Sequence, residues 1–338
     1  MTNNREWIER TLRHEETGRV PYNFMFSPPA LRRAESHYGR DLEQAIDLPM
    51  RMTGPKSIKP LYADPKDYGE TIQDEFGVVW STSTIDRGAP IGPCLREPDL
   101  SNYTFPAADP ESRFEEIGAW CAKQKGHFRV VWVGDLWERA TFMRGMEDIL
   151  LDVALNPEFV EALLRGLTDR IIGTMEILFA RFEFEAIAVS DDYGTQRSMV
   201  ISPRDWRRFI KPCLAQIYGL AKKHGRTVFH HSCGNIIPVI LEMIDLGLDI
   251  LHPIQPEAMD GALLKREFGK RLTFCGGIST QGLLVNGTPD QVRAEIRRLK
   301  HEMASDGGYI LEPGITLQDD VPLANIVAMI DEARAVTG

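Results

Sequence analysis

The second part of this 338-residue chain repeats one pattern, in which a short apolar run is followed by a longer helical segment. Six such runs occur, at residues 129–133, 185–189, 227–229, 248–251, 271–274 and 308–311. Apolar runs of this length are typical of strands buried on both faces, and their alternation with helices predicts a parallel sheet. Between the runs, proline follows Asn156, Ser202 and Thr288, as expected where a capping side chain precedes the first helical residue.

Two further strands bring the expected total to about eight. Residues 20–26 form one of them, and a weaker candidate lies between it and the repeating part. This number predicts a closed (β/α)₈ barrel, the TIM barrel of the α/β class. An open doubly wound sheet is the alternative, but no Gly-x-Gly-x-x-Gly motif follows an early strand. We predict a single domain over residues 1–338, in which residues 54–110, rich in Pro, Gly and Asp, form an irregular N-terminal insertion over one mouth of the barrel.

Charge and cysteine content argue against several classes of protein. The formal net charge of −10 disfavours a nucleic-acid partner, because phosphate binding needs a basic patch. No apolar run has the length of a membrane span, and the first residues lack the apolar core of a signal peptide, so a cytoplasmic protein is expected. The five scattered cysteines argue against a disulfide framework. A homodimer stays open as an alternative to a monomer.

Polar residues follow the predicted strands at their carboxyl ends. Barrel enzymes draw their catalytic groups from the C-terminal ends of several strands, so we expect these residues to meet at one mouth. They are Asp135, Asp191, Asp192, Tyr193, His230, His231, Cys233, His252, Cys275, Gly276, Gly277 and Glu312.

His231 and Cys233 are the strongest candidates for a metal site. Side chains alternate between the two faces of an extended chain, so these two share one face while His230 and Ser232 take the other. A thiolate and an imidazole two residues apart suit zinc. The alternative is a core cysteine beside a histidine that binds the backbone.

Other strand-end residues have structural alternatives. One residue of the Asp191–Asp192 pair could cap the following turn, and Asp135 could be a loop residue. His252 precedes a proline and could bind the backbone, and Cys275 could be a core thiol. The glycines that follow Cys275, Gly276 and Gly277, form either a tight turn or a loop whose N–H groups bind an anionic part of the substrate.

Four segments together resemble the uroporphyrinogen decarboxylase superfamily. They are residues 191–196, 231–235, 275–281 and 307–325. The resemblance implies a (β/α)₈ barrel and one of two chemistries. The first is decarboxylation of uroporphyrinogen without a cofactor, and the second is methyl transfer that involves a corrinoid protein and, in the best-known members, a zinc-bound thiol.

Departures from the family pattern favour methyl transfer. True uroporphyrinogen decarboxylases carry an Arg-Gln-Ala-Gly-Arg stretch for the substrate carboxylates where this chain has residues 24–29, which hold no arginine. The His-x-Cys motif matches the zinc methyltransferases, but Ile315 lies in the stretch that carries their further cysteine. Glu312 and Cys275 are the available substitutes, so the resemblance implies zinc ligands among His231, Cys233, Cys275 and Glu312.

The resulting expectation is a methyltransferase that moves a methyl group between a small thiol or methoxy compound and a corrinoid held by a partner protein. Asp192 would orient the substrate or His231, Tyr193 would donate a hydrogen bond, and Asp135, His252, Gly276 and Gly277 would contact the substrate. One alternative is a metal-free decarboxylase that uses Asp191 or Asp192 as its acid and the N–H groups of the two glycines for a carboxylate. A further alternative is a pseudo-enzyme that only binds a partner.

Overall fold

The structure is a computed structural model that describes residues 3–59 and 63–336. Ten strands occur in these residues. In chain order they are β1 Met50–Thr53, β2 Thr71–Gln73, β3 Val79–Ser81, β4 Pro90–Gly92, β5 Phe128–Asp135, β6 Ala186–Ser190, β7 Thr227–His231, β8 Ile250–Ile254, β9 Thr273–Ile278 and β10 Tyr309–Pro313. The six predicted strands are all present as β5 to β10, whereas β1 lies at residues for which no strand was predicted.

Seven of these strands form one parallel sheet with the order β1-β5-β6-β7-β8-β9-β10. Residues 20–27 run beside β10 and the segment that follows it, in the eighth position, through parallel bridges from Tyr22 to Leu311 of β10 and from Phe26 to Leu317 beyond it. The chain therefore has the predicted TIM-barrel-like α/β fold. The predicted strand at 20–26 appears as isolated bridges and not as a continuous strand.

Helices connect the strands and surround the sheet. In the described residues they are α1 Asn4–Leu12, α2 Pro28–Tyr38, α3 Leu42–Ala45, α4 Pro65–Tyr68, α5 Ile117–Lys123, α6 Trp137–Arg144, α7 Met146–Leu155, α8 Pro157–Arg181, α9 Pro203–Asp205, α10 Lys211–Lys223, α11 Ile237–Leu246, α12 Gly261–Phe268, α13 Leu283–Asn286, α14 Pro289–Met303 and α15 Leu323–Arg334, with a 3₁₀ turn at Glu111–Arg113 and a π-helical stretch at Trp206–Ile210. None of these helices combines the length and the hydropathy needed to cross a membrane.

Helix starts follow the predicted caps in two of three cases. The side chains of Ser202 and Thr288 accept hydrogen bonds from the first turns of α9 and α14, and Thr288 forms a full capping box with Gln291. Asn156 instead donates its side-chain N–H to Asp152 Oδ1, 2.8 Å away. Helix α8 therefore begins without a side-chain cap. Because its first residue is proline, it has one backbone N–H group fewer to satisfy.

Residues 54–110 are more regular than their composition predicts, because β2, β3 and β4 form a small antiparallel sheet. Asp74 ties this sheet to the barrel, since its Oδ2 accepts hydrogen bonds from Trp80 Nε1 at 2.9 Å and from Arg139 Nη1 of α6 at 2.8 Å. All three groups are buried. That this segment is an insertion over one barrel mouth, and that residues 1–338 form one domain, stay predictions.

The barrel interior is apolar towards the amino ends of the strands, which we call its lower part, and polar towards their carboxyl ends. The lower part is filled by Met50, Phe128, Val130, Ala186, Ala188, Phe229, Ile250, Cys275 and Ile310, with Ile8 of α1 packed against them. Register partners in a parallel sheet share a face, and Ser190 is the partner of His231, which in turn is the partner of His252. The next residues along the inward face are therefore polar, and they lie at the carboxyl ends of the strands.

Candidate metal centre

The end of β7 brings three metal-binding side chains together. His231 is the last residue of the strand, and its Nε2 lies 3.5 Å from Cys233 Sγ and 3.4 Å from Asp192 Oδ1. The same carboxylate oxygen accepts a hydrogen bond from the backbone N–H of Cys233 at 2.8 Å, which holds the turn after β7 against the turn after β6. The donor atoms of the three residues all lie within 4.8 Å of one another.

These separations suit the zinc ion that the family resemblance implies. Zinc–nitrogen and zinc–oxygen bonds of about 2.0 Å and a zinc–sulfur bond of about 2.3 Å, at tetrahedral angles, place two donors about 3.3 to 3.6 Å apart. The distances from His231 Nε2 to Cys233 Sγ and to Asp192 Oδ1 fall in this range. A His/Cys/Asp set supplies three protein ligands and leaves a fourth position for a substrate.

His231 and Asp192 also form an ion pair. Burial disfavours charge on both groups, but the hydrogen bond and the opposite charge lower the pKa of Asp192 and, together with Cys233, raise the pKa of His231 well above its usual value. The side chain of Asp192 is 39% exposed and that of His231 is 20% exposed, so both remain accessible from the barrel mouth. An incoming metal ion would take the place of the proton that this pair shares.

Two predicted ligands lie deeper in the barrel. His231 Nδ1 is 2.9 Å from Nδ1 of the buried His252, whose Nε2 is 3.5 Å from Glu312 Oε2. Cys275 Sγ donates to the same oxygen of Glu312 at 2.8 Å. The two histidines thus separate Cys275 and Glu312 from Cys233. The third side chain that lies beside His231 and Cys233 is Asp192.

A cavity of about 800 Å³ opens over the three donors. Part of its wall is apolar and part is acidic. The apolar part includes Phe24, Phe26, Leu31, Leu42, Ile46, Leu48, Trp132 and Ile315, and the polar part includes Glu35, Asp41, Glu43, Asp86, Arg87, Glu138, Ser190, Thr316 and Gln318 beside Asp192, His231 and Cys233.

Several of these wall residues were not predicted. Trp132 and Ser190 could have been found, because each occupies an inward position near the end of a strand. Glu138 and Arg87 gave no signal, since they lie on α6 and in the loop between β3 and β4. Glu138 accepts hydrogen bonds from Ser190 Oγ at 3.0 Å and from Arg87 Nη2 at 2.8 Å, so it is held in place on both sides.

Asp191 and Tyr193, two predicted catalytic residues, are fully buried and do not line the cavity. Asp191 Oδ1 accepts hydrogen bonds from the N–H groups of Leu136 at 3.2 Å and Glu138 at 2.8 Å, at the start of α6. Tyr193 Oη donates to Asp191 Oδ2 at 2.6 Å, and its ring stacks on His230. Burial raises the pKa of Asp191 well above its usual value. This pair anchors α6 instead of facing the cavity.

The other predicted substrate contacts also lie outside this cavity. Asp135 pairs with Arg139 at 3.0 Å beside a separate cavity of about 180 Å³. Gly276 and Gly277 are buried in β9 with positive φ angles of 133° and 102°. A Cβ on Gly276 would lie 2.4 Å from Ile254 N, so the glycine allows β8 and β9 to approach closely.

Comparison with known proteins places the chain in a family. Residues 132–336 match the model of the uroporphyrinogen decarboxylase (URO-D) family. Over 147 residues the chain is 29% identical to the methylcobamide:CoM methyltransferase MtaA of Methanosarcina barkeri, a match that covers 43% of this chain and 40% of that protein. The chain thus spans less than half the length of this curated relative.

A solved structure, a methyltransferase from Methanosarcina mazei, superposes on the whole fold. Its TM-score is 0.70 at 18% sequence identity, and the superposition covers 98% of both chains. The predicted resemblance, including its leaning towards methyltransferase-like members, is therefore confirmed. More than half of the chain matches the family model, and so the chain belongs to the uroporphyrinogen decarboxylase family.

Proposed function

We propose that this protein is a methyltransferase that moves a methyl group between a small substrate in the cavity and a corrinoid carried by a partner protein. The observation that carries the proposal is the cluster of Asp192, His231 and Cys233 on the cavity wall, with donor separations that suit zinc. Similarity to a methyltransferase that acts on a methylcobamide supports the same reaction class.

All three residues of the cluster are ligands in this proposal, and their neighbours hold them in place. Cys233, His231 and Asp192 would hold zinc, which when bound supplies a Lewis acid that activates a thiol or a methoxy oxygen. The hydrogen bond from Cys233 N–H to Asp192 Oδ1 keeps the carboxylate next to the imidazole. Trp132 packs edge-on against His231, with ring centroids 6.3 Å apart, and closes one side of the centre with an apolar surface.

The charge of the cavity wall limits the charge that a substrate can carry. Six carboxylates line the cavity, at Glu35, Asp41, Glu43, Asp86, Glu138 and Asp192. Arg87 is the single Lys or Arg among the described lining residues, and it donates to Glu138. The acidic side chains outnumber the cationic one on this wall, so we propose a substrate that is neutral or cationic.

Metal content tests the centre. Protein purified without chelator should contain about one zinc per chain by elemental mass spectrometry, as expected for a single three-residue set. Cys233→Ser should lose most of the metal, whereas Cys94→Ser, a matched change at another half-buried thiol, should keep it. Wild-type protein without zinc, or full zinc in Cys233→Ser, would overturn the metal centre.

Three thiols of similar size test the substrate charge. With methylcobalamin as methyl donor, 2-mercaptoethanol and cysteamine should be methylated with a kcat/KM at least about tenfold above that of 2-mercaptoethanesulfonate, a difference of about 1.4 kcal/mol. Preference for the sulfonate would refute the charge argument and leave methyl transfer standing. Absence of transfer from methylcobalamin to any of the three would count against thiol methylation and direct the search to methoxy donors.

The decarboxylase alternative has less support. Asp191, one of its two candidate acids, bonds the start of α6, and neither Gly276 nor Gly277 lines the cavity. Asp192 does line the cavity, but its pKa is lowered, which does not suit a proton donor at neutral pH.

A further inference from the structure

Behind the three donors lies a buried row of polar side chains that the proposed reaction does not itself use. His231 contacts His252 at 2.9 Å between their Nδ1 atoms, and His252 Nε2 lies 3.5 Å from Glu312 Oε2. Both His252 and Glu312 are at most 1% exposed. We infer that His252 and Glu312 are positioning residues that fix the ring and the proton of His231, so that its Nε2 is free to bind zinc. This inference rests on the proposed metal centre.

The contact between the two histidines allows only one arrangement if His231 binds metal through Nε2. One proton fits between two nitrogens 2.9 Å apart, so one ring donates and the other accepts. A ring that uses Nε2 as a ligand keeps its proton on Nδ1, and His231 is then the donor. His252 accepts at Nδ1 and carries its own proton on Nε2, on the side that faces Glu312.

Glu312 has the charge that this arrangement needs. Asn23 Nδ2 donates to its Oε1 at 2.8 Å, and Cys275 Sγ donates to its Oε2 at 2.8 Å. Burial would raise the pKa of Glu312, but His252 and these two donors outweigh burial and lower it. Among the described residues, the ion pairs of Glu312 are confined to His252. A carboxylate buried without Lys or Arg is costly, and a cation bound at His231 would offset that cost through the two rings.

Cys275 has a defined part in the same row. Burial and the adjacent carboxylate raise the pKa of the Cys275 thiol well above its usual value. Its Sγ donates to Glu312 Oε2 at 2.8 Å, and the donor atoms that lie together at the mouth belong to Asp192, His231 and Cys233. The sequence-based assignment of Cys275 and Glu312 as ligands is thus replaced by a role one layer behind the ligands, where such partners commonly tune metal affinity.

Two variants and two readouts separate these roles. Glu312→Gln removes the charge and nearly preserves the volume, and Cys275→Ser preserves a donor to Glu312. Zinc affinity, measured by competition with a chromogenic chelator, should fall by about 10- to 100-fold in Glu312→Gln and change by less than about threefold in Cys275→Ser. The thiolate-to-metal absorption of the cobalt(II) form should keep its intensity in Cys275→Ser, because Cys233 is the sole thiolate ligand.

The second readout reports the protons of the two rings directly. Nitrogen-15 NMR of the zinc-loaded protein should show the proton of His231 on Nδ1 and that of His252 on Nε2 in the wild type, and a mixture of His252 tautomers in Glu312→Gln. Wild-type zinc affinity in a folded Glu312→Gln variant, with an unchanged tautomer, would overturn the positioning role alone. Loss of cobalt absorption in Cys275→Ser would restore Cys275 as a ligand. Wild-type protein that binds no zinc would instead refute the metal centre itself.

Discussion

Asp191 and Asp192 are consecutive in the chain, yet their carboxylates bind different parts of the molecule. Asp191 accepts the N–H of Glu138 at the start of α6, 2.8 Å away, whereas Asp192 Oδ1 lies 3.4 Å from His231 Nε2. One carboxylate therefore anchors a helix, and its neighbour belongs to the proposed metal centre.

Alanine at each position should show this division. Asp191→Ala leaves buried N–H groups and the Tyr193 hydroxyl without a partner, which should lower the free energy of unfolding by about 2 kcal/mol or more. Asp192→Ala should change stability less and lower zinc affinity more. Denaturant titration of the metal-free variants and chelator competition measure the two effects. Equal zinc loss in both variants, at equal stability, would contradict this division.

Gly276→Ala should be strongly destabilising. Its φ of 133° is unfavourable for alanine, and the new Cβ would lie 2.4 Å from Ile254 N and 2.8 Å from Ile254 O, both backbone atoms. Strain and overpacking together should cost about 3 kcal/mol or more. Gly219→Ala in α10 is the matched control, because nothing lies within 4 Å of its Cβ and alanine favours a helix by about 1 kcal/mol. Thermal unfolding measures the stability of both variants. Equal melting temperatures would contradict the close approach of β8 and β9 at Gly276.

Ile315→Cys should add a second thiolate to the metal centre. Ile315 lines the same cavity as Cys233 and lies in the stretch where the zinc methyltransferases of the family carry a further cysteine. The variant should bind zinc more tightly, and the thiolate-to-metal absorption of its cobalt(II) form should be roughly double that of the wild type. Ile315→Val controls for the change in volume. An unchanged cobalt spectrum would mean that residue 315 does not reach the metal.

Lys300 predicts a pH dependence far from the cavity. Its Nζ donates to the carbonyls of Glu332 and Ala335 at 2.6 and 2.8 Å, at the end of α15, and burial lowers its pKa to about 8. Between this value and its usual 10.5, the unfolded chain holds more protons on this residue than the folded chain. The contribution of Lys300 to the free energy of unfolding should therefore rise with pH across this window.

Lys300→Met provides the comparison for that window. The variant should be less stable at neutral pH by about 1 to 3 kcal/mol, because two carbonyls lose their donor. The difference from wild type should widen as pH rises from about 8 towards 10.5, measured by denaturant titration at each pH. A difference that stays constant over this range would show that the amine titrates at its ordinary pKa.

The strands and the face shared by His231 and Cys233 could be predicted because both depend on local periodicity. Six apolar runs became β5 to β10, and the alternation of side chains left His230 and Ser232 buried on the opposite side from His231 and Cys233. The same rule applied to Ser190 would have identified an inward residue next to the centre, since it is the register partner of His231.

The parts that could not be predicted depend on contacts between distant segments. Nothing local distinguishes Asp191 from Asp192, because the choice depends on whether α6 or β7 lies beside the carboxylate. Cys275 also lies on an inward face, but it is the register partner of Ile310 and so occupies a lower layer than His231. Arg87 reaches the cavity only because the small antiparallel sheet packs against the barrel.

At the eighth position of the barrel, the cavity wall is formed by a segment that pairs with a strand on one side and makes side-chain contacts on the other. Residues 20–27 bind β10 through backbone hydrogen bonds, but in the described residues the link from Tyr22 towards β1 is a hydroxyl that donates to Ile46 O at 2.8 Å. Phe24, Phe26, Ile46 and Leu48 line the cavity along this side. On this side the cavity is therefore bounded by side-chain contacts, whereas His231 on the other side is fixed by a strand that is paired along both edges.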